Sequence, residues 1–157
     1  MPEIVYIETT VVSYLVAKPS RDLVLAAHQE VTRDWWDNQR PLYDCVTSAE
    51  TLREASAGDP LAAAERLKAL AGFPLIEIGS EVEAAALSFL ETGAIPETMR
   101  ADAIHLAAAS HAGADYLLTW NCRHLANAHV LRRLEKEAAR QGWQLPTVCT
   151  PLELLSF

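Results

Sequence analysis

Five short apolar runs, separated by helical patterns, limit what this chain can fold into more than any other feature. They are Ile4 to Ile7, Leu42 to Thr47, Leu75 to Ile78, Asp115 to Thr119 and Thr147 to Thr150. Runs this short, with few polar interruptions, fit strands buried on both faces of a parallel sheet. The helical patterns between them supply the crossovers that parallel strands require. The expected class is α/β, with a sheet covered on both faces.

The helical segments carry their own boundary signals. Val11 to Ala17 reads as a short helix, and Asp22 as the cap of a longer one reaching about Asn38, with Val24, Ala27, Val31 and Trp35 on one face. Pro41 breaks that pattern; Ser48 is expected to cap a helix through about Ala57, and Pro60 to open another ending near Gly72. Further helices are expected from Ser80 to Glu91, from Thr98 to Ala112 with Gly113 just past its end, and from Asn127 to Gln141. Trp35 and Trp36 are adjacent, so a regular helix cannot bury both along one line. At least one belongs in the core, and the other is a candidate for a dimer or partner surface. No internal repeat or low-complexity linker interrupts residues 1–157, which read as a single domain.

Composition excludes several classes. Thirteen Lys and Arg against twenty-one Asp and Glu leave a net charge of -8. That rules out broad electrostatic wrapping of nucleic acid, but leaves room for an acidic pocket that holds divalent cations. Cys45, Cys122 and Cys149 form no disulfide framework and no C-x-x-C pair. No apolar stretch has the length of a membrane helix. The opening Met1-Pro2-Glu3 lacks the pattern of a secretory signal, so the expected location is cytoplasmic, away from membranes. There is no G-x-G-x-x-G or G-K-[ST] loop, which speaks against dinucleotide and P-loop binding.

In an open parallel sheet, ligands bind beyond the carboxyl ends of the strands. Glu8 ends the first strand. Glu50 and Glu54 share one face of the helix after the second, Asp102 lies in an early turn of the helix before the fourth, and that strand runs into Thr119-Trp120-Asn121. Carboxylates gathered there repel one another unless a cation joins them, and hard oxygen ligands suit Mg²⁺ or Mn²⁺. Each residue also has a plainer reading: a solvated strand end for Glu8, exposed helix charges for Glu50 and Glu54, a dipole partner for Asp102, a helix cap for Asn121. Arg123 and His124 follow Asn121 and are placed to touch a substrate phosphate. His105, three residues after Asp102, is a candidate supporting group. Arg132, Lys136 and Arg140 form a basic stripe on the late helix that can equally be a solvated, ion-paired face.

Four segments together resemble the PIN-domain family. Tyr6-Ile7-Glu8-Thr9-Thr10 resembles its opening acidic motif, and Thr47-Ser48 with Glu54 its second. Ala101-Asp102-Ala103-Ile104-His105-Leu106-Ala107 is close to the third, and Leu118-Thr119-Trp120-Asn121-Cys122-Arg123 to the last. The matches come in order and span nearly the whole chain, which is most similar to the VapC-like toxins of toxin–antitoxin pairs. The resemblance implies a three-layer α/β/α PIN-like fold with a central, mostly parallel sheet of four or five strands. It also implies a metal-dependent ribonuclease using Mg²⁺ or Mn²⁺, a homodimer, and a small antitoxin partner. Glu8, Glu54, Asp102 and Asn121 take the positions of the catalytic, metal-holding quartet, with Thr10 and Thr119 as supporting hydroxyls and Glu50 as a secondary candidate. Two positions depart from the pattern. Glu8 and Asn121 stand where aspartate is usual, so a PIN-like module that binds metal, RNA or a protein without efficient cleavage is the alternative.

Overall fold

The computed structural model describes residues 1–156. Its strands are β1 (Ile4–Ile7), β2 (Asp44–Ser48), β3 (Leu75–Ile76), β4 (Tyr116–Leu118) and β5 (Thr147–Cys149), in the spatial order β3-β2-β1-β4-β5. Every pairing is parallel. The helices are α1 (Thr9–Val16), α2 (Leu23–Asp34), α3 (Ala49–Ala55), α4 (Pro60–Leu70), α5 (Ser80–Glu91), α6 (Arg100–His111) and α7 (Ala128–Arg140). The fold is the α/β type expected, with β1 at the centre and the strand order reversing between β1 and β4.

Successive side chains of a strand point to opposite faces, and the two cores divide on that rule. Tyr6, Leu117 and Val148 pack on one face against Val82 and Phe89 of α5, Leu106 of α6 and Leu134 of α7. Val5, Ile7, Leu118 and Cys149 pack on the other against Val11 and Val12 of α1, Ala55 of α3, Leu70 of α4 and the Trp35–Trp36 pair. The structure is therefore three layers. In α6, Ala103 and the unbroken run Leu106 to Ala109 are fully buried. A helix apolar on nearly every side belongs inside a protein, and its small side chains let it lie close to the sheet. No helix among the described residues is long and apolar enough to cross a membrane.

Several local features differ from expectation for identifiable reasons. Helix α1 starts at Thr9, because Glu8 itself caps it by accepting the Thr10 N–H. Strand β2 starts at Asp44, because Arg40–Leu42 forms a 3₁₀ turn around Pro41. Ser48 precedes α3 as expected but makes no side-chain cap, since its hydroxyl is 2.6 Å from the Tyr6 hydroxyl instead. The expected end of α2 becomes a π-helical turn over Trp35–Gln39. That wider turn changes the angular spacing of adjacent residues, and both tryptophans enter the core, with Trp36 only 9 % exposed. Trp36 packs against Phe73, and the Arg40 guanidinium lies 4.9 Å from its ring centre. Neither indole is a surface anchor.

Trp36→Ala is expected to lower stability by about 3–5 kcal/mol in urea unfolding. Truncating Leu23, 85 % exposed, is expected to change it by less than about 0.5 kcal/mol. A Trp36 variant as tolerant as the Leu23 variant would contradict a buried indole.

Candidate metal centre

The registers Ile7↔Leu118 and Tyr6↔Val46 place the carboxyl ends of β1, β2 and β4 side by side. Glu8, one residue beyond β1, donates its backbone N–H to the Leu118 carbonyl and so lies beside Thr119. It is only 3 % exposed. Its Oε1 accepts from Thr10 Oγ1 at 2.5 Å, Thr119 Oγ1 at 2.6 Å and the Thr10 N–H at 3.1 Å. Thr10 Oγ1 accepts the Trp120 N–H at 2.8 Å, and Thr119 Oγ1 accepts the Asn121 N–H at 2.9 Å. Each hydroxyl is thus occupied by a backbone donor, which directs its own proton to Glu8. The longer side chain of glutamate folds back to reach these partners at the amino end of α1, where the helix dipole favours an anion.

Glu54 reaches the same place from α3. Its Oε1 accepts from Thr9 Oγ1 at 2.7 Å and from His105 Nε2 at 2.5 Å. On the far side of the imidazole, Nδ1 is 2.7 Å from the Tyr6 hydroxyl, which meets Ser48. Full burial works against charge on His105, but Tyr6, the hydrogen bond to Glu54 and the carboxylates of Glu8 and Glu54 outweigh it and raise its pKa well above 6.5. Burial pushes the Glu54 carboxyl up, yet His105 and Thr9 pull harder and leave it below its ordinary 4.5. An imidazolium here donates from both nitrogens, to Tyr6 and to Glu54. His105 therefore orients Glu54, and the carboxylates are the natural cation ligands.

Asp102, 8 % exposed in the first turn of α6, completes the acidic edge. Burial raises its carboxyl, the Asn121 side chain opposes that, and the Glu8 charge adds to it; His105 and His124 also act on it. Asn121 Oδ1 accepts the His124 N–H at 3.0 Å, so the amide pins the turn after β4 while its side chain serves Asp102.

Ligand atoms of Glu8, Glu54 and His105 all lie within 4.8 Å of one another. Among the described residues, no lysine or arginine forms an ion pair with Glu8, Glu54 or Asp102. Asp102 stands outside that group but near enough to feel the Glu8 charge, and carboxylate oxygens of this kind suit a hard divalent cation. The Glu8, Glu54 and His105 group could hold a metal ion.

Not every candidate converges. Glu50 is held on its own helix by Arg53, with contacts of 2.5 to 3.2 Å, so it is a paired helix charge. Arg123 is exposed on the turn after Asn121 and His124 is half-buried. Arg140 of the basic stripe is bound to Glu137 at 2.5 and 2.8 Å. Sequence reasoning passed over Tyr6 and Thr9. Both lie within two residues of Glu8, but only tertiary contacts reveal their partners. A concavity of about 550 Å³ lined by Glu3, Asp115, Trp143 and Thr147 lies at the opposite, amino-terminal edge of the sheet.

No family model, curated protein or solved structure matches the chain. The chemistry of the acidic edge therefore carries the functional argument.

The pair also sets a pH dependence. Glu54, whose pKa falls on folding from 4.5, stabilises the fold above that value, and its contribution is lost as pH drops through the folded value. His105, whose pKa rises on folding from 6.5, stabilises the fold below 6.5 and loses its contribution as pH climbs through the folded value. Metal-free protein is expected to resist urea best between about pH 4.5 and 6.5, where both contributions are complete, and His105→Gln to flatten both limbs of the profile. A variant whose urea midpoint tracks the wild type from about pH 4 to about pH 9 would remove the pair as a structural element.

Proposed function

We propose that the chain is a metal-dependent endoribonuclease of the PIN type, acting as the toxin of a toxin–antitoxin pair. One observation carries the reading: Glu8 and Glu54 converge at the carboxyl edge of a parallel sheet where the strand order reverses, braced by His105 and free of any lysine or arginine partner among the described residues, with Asp102 near enough to feel the Glu8 charge. The ordered resemblance of four segments to the PIN family supplies the choice of RNA as substrate. It alone supports a homodimer and a small antitoxin protein as partners.

Glu8, Glu54 and Asp102 would hold Mg²⁺ or Mn²⁺, with Asn121 Oδ1 at the margin of the set. Bound there, the ion supplies Lewis-acid chemistry, acidifying a water and offsetting charge on a phosphodiester. The chain's own residues do the rest. Thr10 and Thr119 fix Glu8, while Thr9 and His105 fix Glu54, so the carboxylates need little reorganisation on binding. Asp102, its carboxyl raised by burial, is suited to accept a proton from the attacking water. Arg123 and His124, on the turn after Asn121, would be the groups that meet the phosphate backbone. Asp102→Ala is expected to reduce Mn²⁺-dependent cleavage of single-stranded RNA by more than about a hundredfold; unchanged turnover would refute the assignment.

The second reading, a module that binds without efficient cleavage, draws on Asn121, whose side chain brings no charge and whose Oδ1 is committed to the His124 N–H. Asn121→Asp separates the two. An added carboxylate beside Asp102 is expected to tighten Mn²⁺ binding in calorimetry and to lower Tm in EDTA through like-charge repulsion. Faster cleavage would mean that the missing charge limits the enzyme. Tighter metal binding with no cleavage in either protein would favour the binding module.

A further inference from the structure

Beside the acidic edge stands a group of aromatic rings that the metal chemistry does not use. Trp120 lies between Thr119 and Asn121. Its ring is stacked with Tyr14 of α1 (centroids 5.7 Å apart, planes at 12°) and with His28 of α2 (4.2 Å and 15°). Trp120 is held at two points: its backbone N–H goes to Thr10 Oγ1, and Nε1–H to Thr32 Oγ1 at 2.7 Å. It is 8 % exposed, whereas Tyr14 and His28 are half-buried. The stack thus has a covered centre and partly open flanks.

The placement of Tyr14 ties it to the centre. Thr10 and Tyr14 are four residues apart on α1 and share a helical face. Thr10 Oγ1 links the two structures directly, donating to Glu8 while accepting from Trp120. Burial, and further the charges of Cys122 and Glu8, push the Tyr14 hydroxyl up.

We propose that Tyr14, backed by Trp120 and His28, is a stacking subsite for a nucleobase flanking the scissile phosphate of single-stranded RNA. This deepens the nuclease reading and rests on it. Stacking suits this protein because it needs no positive charge. An acidic chain gains little from general electrostatic attraction to a polyanion, while an aromatic face accepts any base. A ring immobilised before the ligand arrives also loses less freedom on binding than a lone exposed tyrosine would.

The test is fluorescence anisotropy with a labelled single-stranded RNA of about ten nucleotides, in Ca²⁺ to prevent turnover. Tyr14→Phe keeps the ring face and is expected to bind within about twofold of wild type, whereas Tyr14→Leu, which keeps apolar packing on Trp120, is expected to bind about tenfold more weakly. Removing one base next to the scissile bond is expected to weaken wild-type binding about tenfold, and to have no further effect on Tyr14→Leu. Calorimetry is expected to give both variants the wild-type Mn²⁺ affinity. The subsite is overturned if the wild type binds no oligonucleotide, if Tyr14→Leu binds as tightly as wild type, or if the abasic penalty persists in that variant. The abasic penalty on the wild type leaves the protein unaltered, so its absence there overturns the subsite even if a variant folds poorly. The nuclease reading fails on a different result: no Mn²⁺ binding and no cleavage by the wild type.

Discussion

Parallel pairing of β1 with β4 is the constraint on which the acidic edge depends. It brings residue 8 beside residue 119 across most of the chain, and the Glu8 N–H to the Leu118 carbonyl locks that register. From there the hydroxyls of Thr10 and Thr119 converge on one oxygen of Glu8. A slip of one residue would exchange the two faces of β1. Tyr6 would leave the layer of α6, and its bond to His105 would be lost with it.

The second consequence of that register is a polar chain through the layers. Ser48, Tyr6, His105 and Glu54 connect the end of β2, the middle of β1, helix α6 and helix α3. Buried polar groups stabilise only when each finds a partner, and here each has at least one. The small side chains of α6 let His105 approach both β1 and α3. The acidic edge is thus braced from both sides of the sheet, Glu54 coming from one layer and Asp102 from the other. Such bracing holds carboxylates close together where solvated ones would drift apart.

The sequence showed much of this in outline, and the physical reasons for its gaps are specific. Asp22, Pro60, Asn127 and Gly113 act locally, through caps, a first-turn proline and a left-handed turn with φ of 68°, so helix ends could be read at or near them. Glu8 and Asp102 stood out because each follows or opens an apolar element at the expected edge. Glu50 and Glu54, equivalent by helical spacing, parted company: Arg53 takes one, while Thr9 and His105 take the other. Ser48 looked like a cap but answers to Tyr6. In both cases distant partners competed with local ones and won.

Local chemistry in the chain determined the α/β class and the order of the elements, because strand and helix periodicities depend on near neighbours, but not the buried face of α2, where Val24 and Ala27 are exposed and Gln29 and Thr32 are buried. Tertiary structure decided the strand order, the burial of both Trp35 and Trp36 through a π-helical turn, and the role of His105 as the group that orients Glu54. It also decided that Trp120 would be stacked beside Glu8, with Tyr14 and His28 packed on it. Those outcomes depend on contacts between residues far apart in the chain, and such contacts exist only once the sheet has closed.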